Sequence, residues 1–373
     1  MLVGWDITSK CNLSCIHCYN SRVYENRVSQ KLGPDLNTKE VFNIIDKLAT
    51  GDVETIQFLG GEPFVRRDFI EILGYAKDKN IHCNIATNGV LVNQTLIERL
   101  MAICPTQISF SIDGATAKNN DAIRGKGVFD RAVNNLRLLS VRFKTNSAPT
   151  KLGIQCTLNK LNKHEITEVV CLAKELALDF VAFESLKILT QYDSTQKDDL
   201  KKIVLNSYEL FEAGKEIAAL ISLNKNKLDI GILNWGTPKF RNHLNQEYKL
   251  NLQVGKSCIA TSGMFYIRAD GIAHPCNYCS DFDGDILPQE VKKEKLDFPV
   301  LSFDQVVDSE YFRAFYYFAH NGELYERIDY CRKCEFYNIC EPCPLDIVRF
   351  GNKVVSECAS FEKYLKETNK TVQ

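Results

Sequence analysis

Residues 11–18 read CNLSCIHC, a C-x3-C-x2-C spacing that sets Cys11, Cys15 and Cys18 on one short loop. Thiolates are soft ligands suited to zinc or iron–sulfur clusters. A structural metal site is closed by four protein ligands, whereas a site with a free position lets a small molecule reach the metal. Three cysteines with no fourth nearby therefore describe an open site. The alternative is a zinc site in which His17 is the fourth ligand, but His17 and Cys18 are adjacent in the chain, which strains simultaneous ligation.

Cysteine is also the compositional anomaly, with fifteen in 373 residues. Cys83, Cys104, Cys156 and Cys171 lie singly in or near apolar segments and read as structural thiols. Three more form the 11–18 loop, and eight fall late in the chain: Cys258, Cys276, Cys279, Cys331, Cys334, Cys340, Cys343 and Cys358. An odd count without an export signal argues against a disulfide framework and for metal binding in a reducing, cytoplasmic setting. The first residues, MLVGWDITSK, lack the basic-then-apolar layout of a signal peptide. Forty-six basic against 47 acidic residues leave a net charge of −1, which offers no electrostatic case for nucleic acid or a membrane surface. No apolar run reaches the length of a membrane span.

The elements that must position these groups follow one rhythm. Six β-rich runs, at 3–8, 54–60, 82–87, 106–113, 151–158 and 179–186, alternate with helical patterns near 38–49, 68–79, 94–103, 128–140 and 163–176. Such alternation predicts crossover units and a parallel sheet, here an α/β partial (β/α)6 barrel, whose ligands gather at the carboxyl ends of the strands. The cysteine loop follows the first run, FLGGEP the second, ATNG the third and SIDG the fourth, so these motifs share one rim. The expected organisation is a barrel over 1–189, a helical bridge with one short strand over 190–256, and a small cysteine-rich, metal-binding domain over 257–373. Regular periodicity fades in the last part, so metal ligation is expected to organise it. The turn Asp270-Gly271 between GMFYIR and IAHPC predicts a small hairpin.

With the cysteine loop after a first strand, the chain resembles the radical S-adenosylmethionine (SAM) superfamily. The resemblance implies that Cys11, Cys15 and Cys18 hold a 4Fe–4S cluster whose open iron takes SAM. It further implies that one-electron cleavage of the sulfonium yields a 5′-deoxyadenosyl radical. His17 stands where the family often has an aromatic residue beside the adenine. Gly60, Gly61 and Glu62, with Pro63, match the motif that holds the methionyl amino group, and glycine there suits a close backbone approach. Ser111, Asp113 and Arg124 resemble positions that contact the carboxylate and ribose. Thr87, Asn88, Thr157 and Asn159 are weaker candidates that read equally as turn or cap residues.

The late cysteines resemble the C-terminal SPASM domain of many such enzymes, with Gly271 in place. That domain implies two auxiliary 4Fe–4S clusters, three clusters in all. Carried over, Cys331, Cys334, Cys340 and Cys358 hold one; Cys258, Cys276 and Cys343 hold the other, with Cys279, additional to the pattern, able to close it. Cys340 and Cys343 are separated by two residues where the pattern has three, which weakens the assignment of Cys343. A zinc-only domain is the alternative.

Members with this domain pair mostly modify peptides, so the resemblance implies a precursor peptide, a flavodoxin- or ferredoxin-type reductant, and auxiliary clusters that accept electrons. No winged-helix leader-binding segment precedes the first strand, so leader binding is expected from a separate protein or another surface. The alternatives are a small-molecule dehydrogenase, decarboxylase or tetrapyrrole enzyme and, in another class, an Fe–S electron carrier, which needs neither GGEP, SIDG nor Arg124. Cys156 and Cys279 are candidate hydrogen-donor thiols for an epimerase. Glu184, Asp270 and His274 are unranked candidates for proton transfer.

Overall fold

The computed structural model describes residues 1–18, 33–187, 194–225, 227–233, 237–254, 258, 260, 263–279, 294–320, 329–336, 340 and 354–368. Its frame is a parallel run of strands β1 (Leu2–Asp6), β2 (Thr55–Leu59), β3 (His82–Thr87), β4 (Gln107–Ser111), β5 (Lys151–Leu158) and β6 (Phe180–Ser185), paired in chain order. Helices α1 (Thr38–Thr50), α2 (Phe69–Asp78), α3 (Gln94–Ile103), α4 (Ala117–Arg124), α5 (Val128–Thr145) and α6 (Ile166–Glu175) form the crossovers. This is the partial (β/α)6 barrel expected from the alternation. α1 begins where the sequence signals it: Asn37 caps Lys39 and Glu40, and Glu40 returns a bond to the Asn37 N–H.

Strand alternation divides the sheet into two faces. Ile56, Phe58, Ile85, Ile108, Phe110, Ile154, Val181 and Phe183 are buried in the apolar core with the helices. The other face carries half-buried polar side chains, among them Gln57, Asn84, Ser111, Gln155, Thr157 and Glu184. It forms the barrel lumen.

Two additions extend this sheet. Helices α7 (Ser194–Ile203) and α8 (Ser207–Leu223) lead to β7 (Asp229–Leu233), which pairs parallel with β6. At the opposite edge β8 (Met264–Ile267) pairs parallel with β1, and β9 (Ile272–His274) and β10 (Leu296–Asp297) follow antiparallel. The β8–β9 hairpin is the one read from Asp270-Gly271. Gly271 has φ +82°, and a Cβ there would stand 2.8 Å from Pro299.

Apolar packing contributes to the late part of the chain more than its scattered sequence suggested. Helices α9 (Pro238–Tyr248), α10 (Phe303–Val307), α11 (Glu310–His320), α12 (Asp329–Arg332) and α13 (Val354–Thr368) bring aromatic rings together. Phe265 meets Phe298, Phe303 and Phe312, while Phe211 meets Phe240, Phe361 and Tyr364. These contacts join residues far apart in sequence, so no local periodicity announces them. Among the described residues no helix is long and apolar enough to cross a membrane.

Candidate active site

The exits of β1 and β2 are laced together. Gly61 N–H donates to Thr8 O and Glu62 N–H to Lys10 O, each at 2.8 Å. Gly60 has φ +123°, and a Cβ on it would lie 2.4 Å from Thr8 O; one on Gly61 would lie 2.1 Å from Lys10 O. The two glycines are therefore required by the cysteine loop's own backbone. Glu62 is buried, and its carboxylate accepts from Thr87 Oγ1 (2.7 Å), Asn88 N–H (2.7 Å) and Phe64 N–H (3.2 Å). Burial pushes the carboxyl up to about 7 against the pull of these donors.

The cysteine loop is tied down at several further points. Asn88 Nδ2 donates to Asn12 Oδ1 (2.8 Å), Leu13 N–H to Cys11 Sγ (3.4 Å), and Cys18 N–H to Cys15 O (3.1 Å). Ile16 N–H donates to Ile123 O (3.0 Å), and Cys15 Sγ stands 3.9 Å from Arg124 O. Cys15 is buried, and burial pushes its thiol up to about 12, with Arg124 opposing; burial raises Cys11 as well. Metal binding would displace those protons.

A second node lies behind this loop. Asp113 is fully buried, and its Oδ2 meets Arg124 Nε at 2.8 Å and His17 Nε2 at 3.1 Å. Thr157 N–H donates to Asp113 Oδ1 (2.7 Å), Asp113 N–H to Asn120 Oδ1 (3.0 Å), and Asn162 Nδ2 to Asp113 O (2.8 Å). Burial alone would raise this carboxyl, but Arg124 and His17 hold it well below the usual carboxylate range. The structure thus brings His17, Asp113 and Arg124 together, and Arg124 is committed through Nε to Asp113. Ser111 stands at the end of β4, half-buried, in register with Gln155, Ala182 and Gly231. A Cβ on Gly231 would meet nothing within 4 Å among the described residues.

The three candidates for proton transfer now separate. Glu184 lies on the lumen face one pair nearer the strand ends, and accepts from Thr157 Oγ1 at 3.0 Å. Burial raises its carboxyl, with the Thr157 hydroxyl opposing. Asp270 is bound to Arg268 and to Gly33 N–H in the hairpin turn, and His274 is buried in β9 against Tyr311. Cys156 is buried in the core that β5 shares with the helices, away from the lumen. Thr87 and Asn88 support Glu62, and Asn159 closes a turn by accepting from Leu161 N–H.

The late cysteines fall into two places. Cys279 N–H donates to Cys276 O (2.9 Å) in a short turn after β9, and Cys258 and Cys276 pack partly buried on the core. Tyr311, which sequence reading did not single out, is buried beside this turn. Burial, then the Cys279 and Cys276 thiols, push its phenol well above the ordinary value. Cys334 N–H donates to Cys331 O (2.9 Å), and Cys340 N–H to Phe336 O (2.8 Å). Cys334 and Cys358 lie near Tyr330, whose hydroxyl donates to Glu362 of α13 at 2.6 Å. Cys343 is outside the described residues. Among the described residues no group of three or more His, Cys, Asp or Glu side chains is gathered to hold a metal ion.

Residues 5–170, spanning β1 to α6, match the model of the Radical SAM superfamily. With the partial barrel and its cysteine loop, residues 5–170 are similar to that superfamily. Two relatives and one fold neighbour place it further. It is 27% identical over 309 residues to AdoMet-dependent heme synthase of Methanosarcina barkeri, covering 78% of this chain and 81% of that one. It is 36% identical over 170 residues to mycofactocin maturase MftC of Mycolicibacterium smegmatis, covering 45% of this chain and 40% of the maturase. The crystal structure of Streptococcus suis SuiB bound to precursor peptide SuiA shares the fold with a TM-score of 0.70 at 18% identity, over 94% of this chain and 73% of SuiB.

Proposed function

We propose that this enzyme modifies a precursor peptide by SAM radical chemistry. The observation that carries this reading is the fold shared over nearly the whole chain with SuiB, a protein seen with its precursor peptide. The similarity to a mycofactocin maturase supports it. In this reading residues 1–189 hold SAM, 190–256 bridge, and 257–373 carry the auxiliary clusters.

Cys11, Cys15 and Cys18 would hold the SAM-binding 4Fe–4S cluster. The donor set fits: three thiols share a loop whose backbone is pinned to β2, β3 and α4, and one ligand position is left over. When bound, cluster and SAM supply a 5′-deoxyadenosyl radical. Gly60, Gly61 and Glu62 shape the loop that receives the methionyl end. Asp113 orients His17 and Arg124 toward the same rim, beside Ser111. Glu184 faces the lumen where a substrate group would enter, and its partly desolvated carboxyl is placed to accept a proton there. Cys258, Cys276, Cys279, Cys331, Cys334, Cys340, Cys343 and Cys358 would hold two auxiliary clusters. The reductant is of the flavodoxin or ferredoxin type, and a separate leader-binding protein remains part of this reading.

A second reading, a tetrapyrrole enzyme, is favoured by the longer alignment with the heme synthase. One experiment separates them. The protein is expressed anaerobically in deuterated medium with each short reading frame beside its gene, and every peptide is weighed. Loss of two hydrogens means crosslinking or oxidation, and gain of one deuterium means epimerisation. Unchanged peptides, from protein that still cleaves SAM, move the substrate to a small metabolite.

A further inference from the structure

Tyr311 is fully buried in α11, and its hydroxyl has no nitrogen or oxygen partner among the described residues. A phenol in that position needs an acceptor. Around it stand the His274 ring, whose centroid lies 6.4 Å from that of the phenol, and the thiols of Cys279 and Cys276. Cys279 is itself fully buried, and the turn in which its N–H bonds Cys276 O sets the two cysteines three residues apart on one bend. A Cys-x2-Cys turn of this kind suits two ligands of one metal site. The hairpin β8–β9 holds the turn from one side, and α11 holds Tyr311 through Phe312 and its contact with Phe265.

We propose that Cys276 and Cys279 ligate the same auxiliary iron–sulfur cluster, and that the Tyr311 hydroxyl donates a hydrogen bond to the Cys279 sulfur. The proposal rests on the auxiliary-cluster reading above. A ligating thiolate is a stronger acceptor than a thiol, so the cluster supplies the partner that the buried phenol requires. Reduction places more negative charge on the sulfurs, and a donor there stabilises the reduced form. Tyr311 is thus a positioning residue that raises the cluster's potential.

The test uses the full chain, reconstituted anaerobically, as wild type, Tyr311→Phe, Cys276→Ala and Cys279→Ala. Iron content and a redox titration followed by electron paramagnetic resonance are the readouts. Tyr311→Phe is expected to keep its iron while one cluster potential moves to a more negative value and the others stay. Both alanine variants are expected to lose iron or the signal of that same cluster. If the alanine variants lose iron and no potential moves in Tyr311→Phe, the hydrogen bond is overturned and the auxiliary site stands. If Cys276→Ala and Cys279→Ala both keep full iron and unaltered signals, no cluster uses this pair. The auxiliary reading of these residues then falls with the proposal. Should the phenylalanine variant lose its iron, the alanine pair still decides the shared ligation. An exchangeable proton coupled to the reduced cluster in wild type then decides the bond, and its absence overturns it.

Discussion

Glu62 shows how much a single buried side chain organises here. Its two oxygens take a hydroxyl and two backbone N–H groups from two segments, the end of β3 and its own loop. Glutamine at this position keeps the size but turns an amide N–H₂ toward donors. Glu62→Gln is therefore expected to destabilise the metal-free protein by about 1–3 kcal/mol in urea unfolding. The pH dependence has a definite sign. A carboxyl whose folded pKa is about 7, above its ordinary 4.5, binds protons more tightly in the folded state, so stability falls as pH rises between those values. The variant lacks that slope, and melting temperatures taken across this range check it. The GGEP motif was legible as a close backbone approach to a ligand, and at Gly60 and Gly61 the structure shows the approach of the chain's own backbone. What approaches is the loop of Lys10 itself, and no sequence pattern shows which backbone will come near.

At the scale of elements, the node at Asp113 joins β4, β5, α4 and the cysteine loop. Asp113→Asn would leave the Arg124 guanidinium buried without its anion. Removing one partner of a buried pair costs roughly 3–5 kcal/mol. The expected outcome is a lower melting temperature, together with weaker iron loading at Cys11, Cys15 and Cys18, because α4 straps that loop through Ile123 and Arg124. Full iron content and unchanged melting in the variant would contradict the role. The six barrel strands could be read in advance because β-branched and aromatic residues recur between turn signals. The capped start of α1 was equally plain. α4 was not, since AKNNDAIR has almost no apolar periodicity and is held by the Thr116 cap and by Asp113. The candidates Arg124 and Asp113 were found by resemblance, and their buried pairing only by structure. The pairing of β7 and β8 onto the barrel's two edges was equally invisible, because tertiary contacts decide it.

At the scale of the molecule, sheet register separates the two cysteine regions. Gly4 pairs with Tyr266, and Tyr266 with His274, so β9 runs back toward the start of β1. Cys276, two residues past His274, leaves the sheet beside the beginning of β1, whereas Cys11 follows its carboxyl end. Between Leu2 and Asp6 lies roughly 13 Å of strand, before the loop adds its own reach. Cys334 and Cys358 lie elsewhere again, near Tyr330 and Glu362. If the late cysteines hold the two proposed auxiliary clusters, sites so placed load independently of the first. Replacing Cys11, Cys15 and Cys18 with alanine is thus expected to abolish SAM cleavage and leave about eight of twelve irons, four per cluster. Iron assay and 5′-deoxyadenosine release check both halves. Loss of all iron would mean that the first site is a keystone for the others, which the packing of Phe211, Phe240 and Phe361 around α13 argues against, since that aromatic core forms without the cysteine loop.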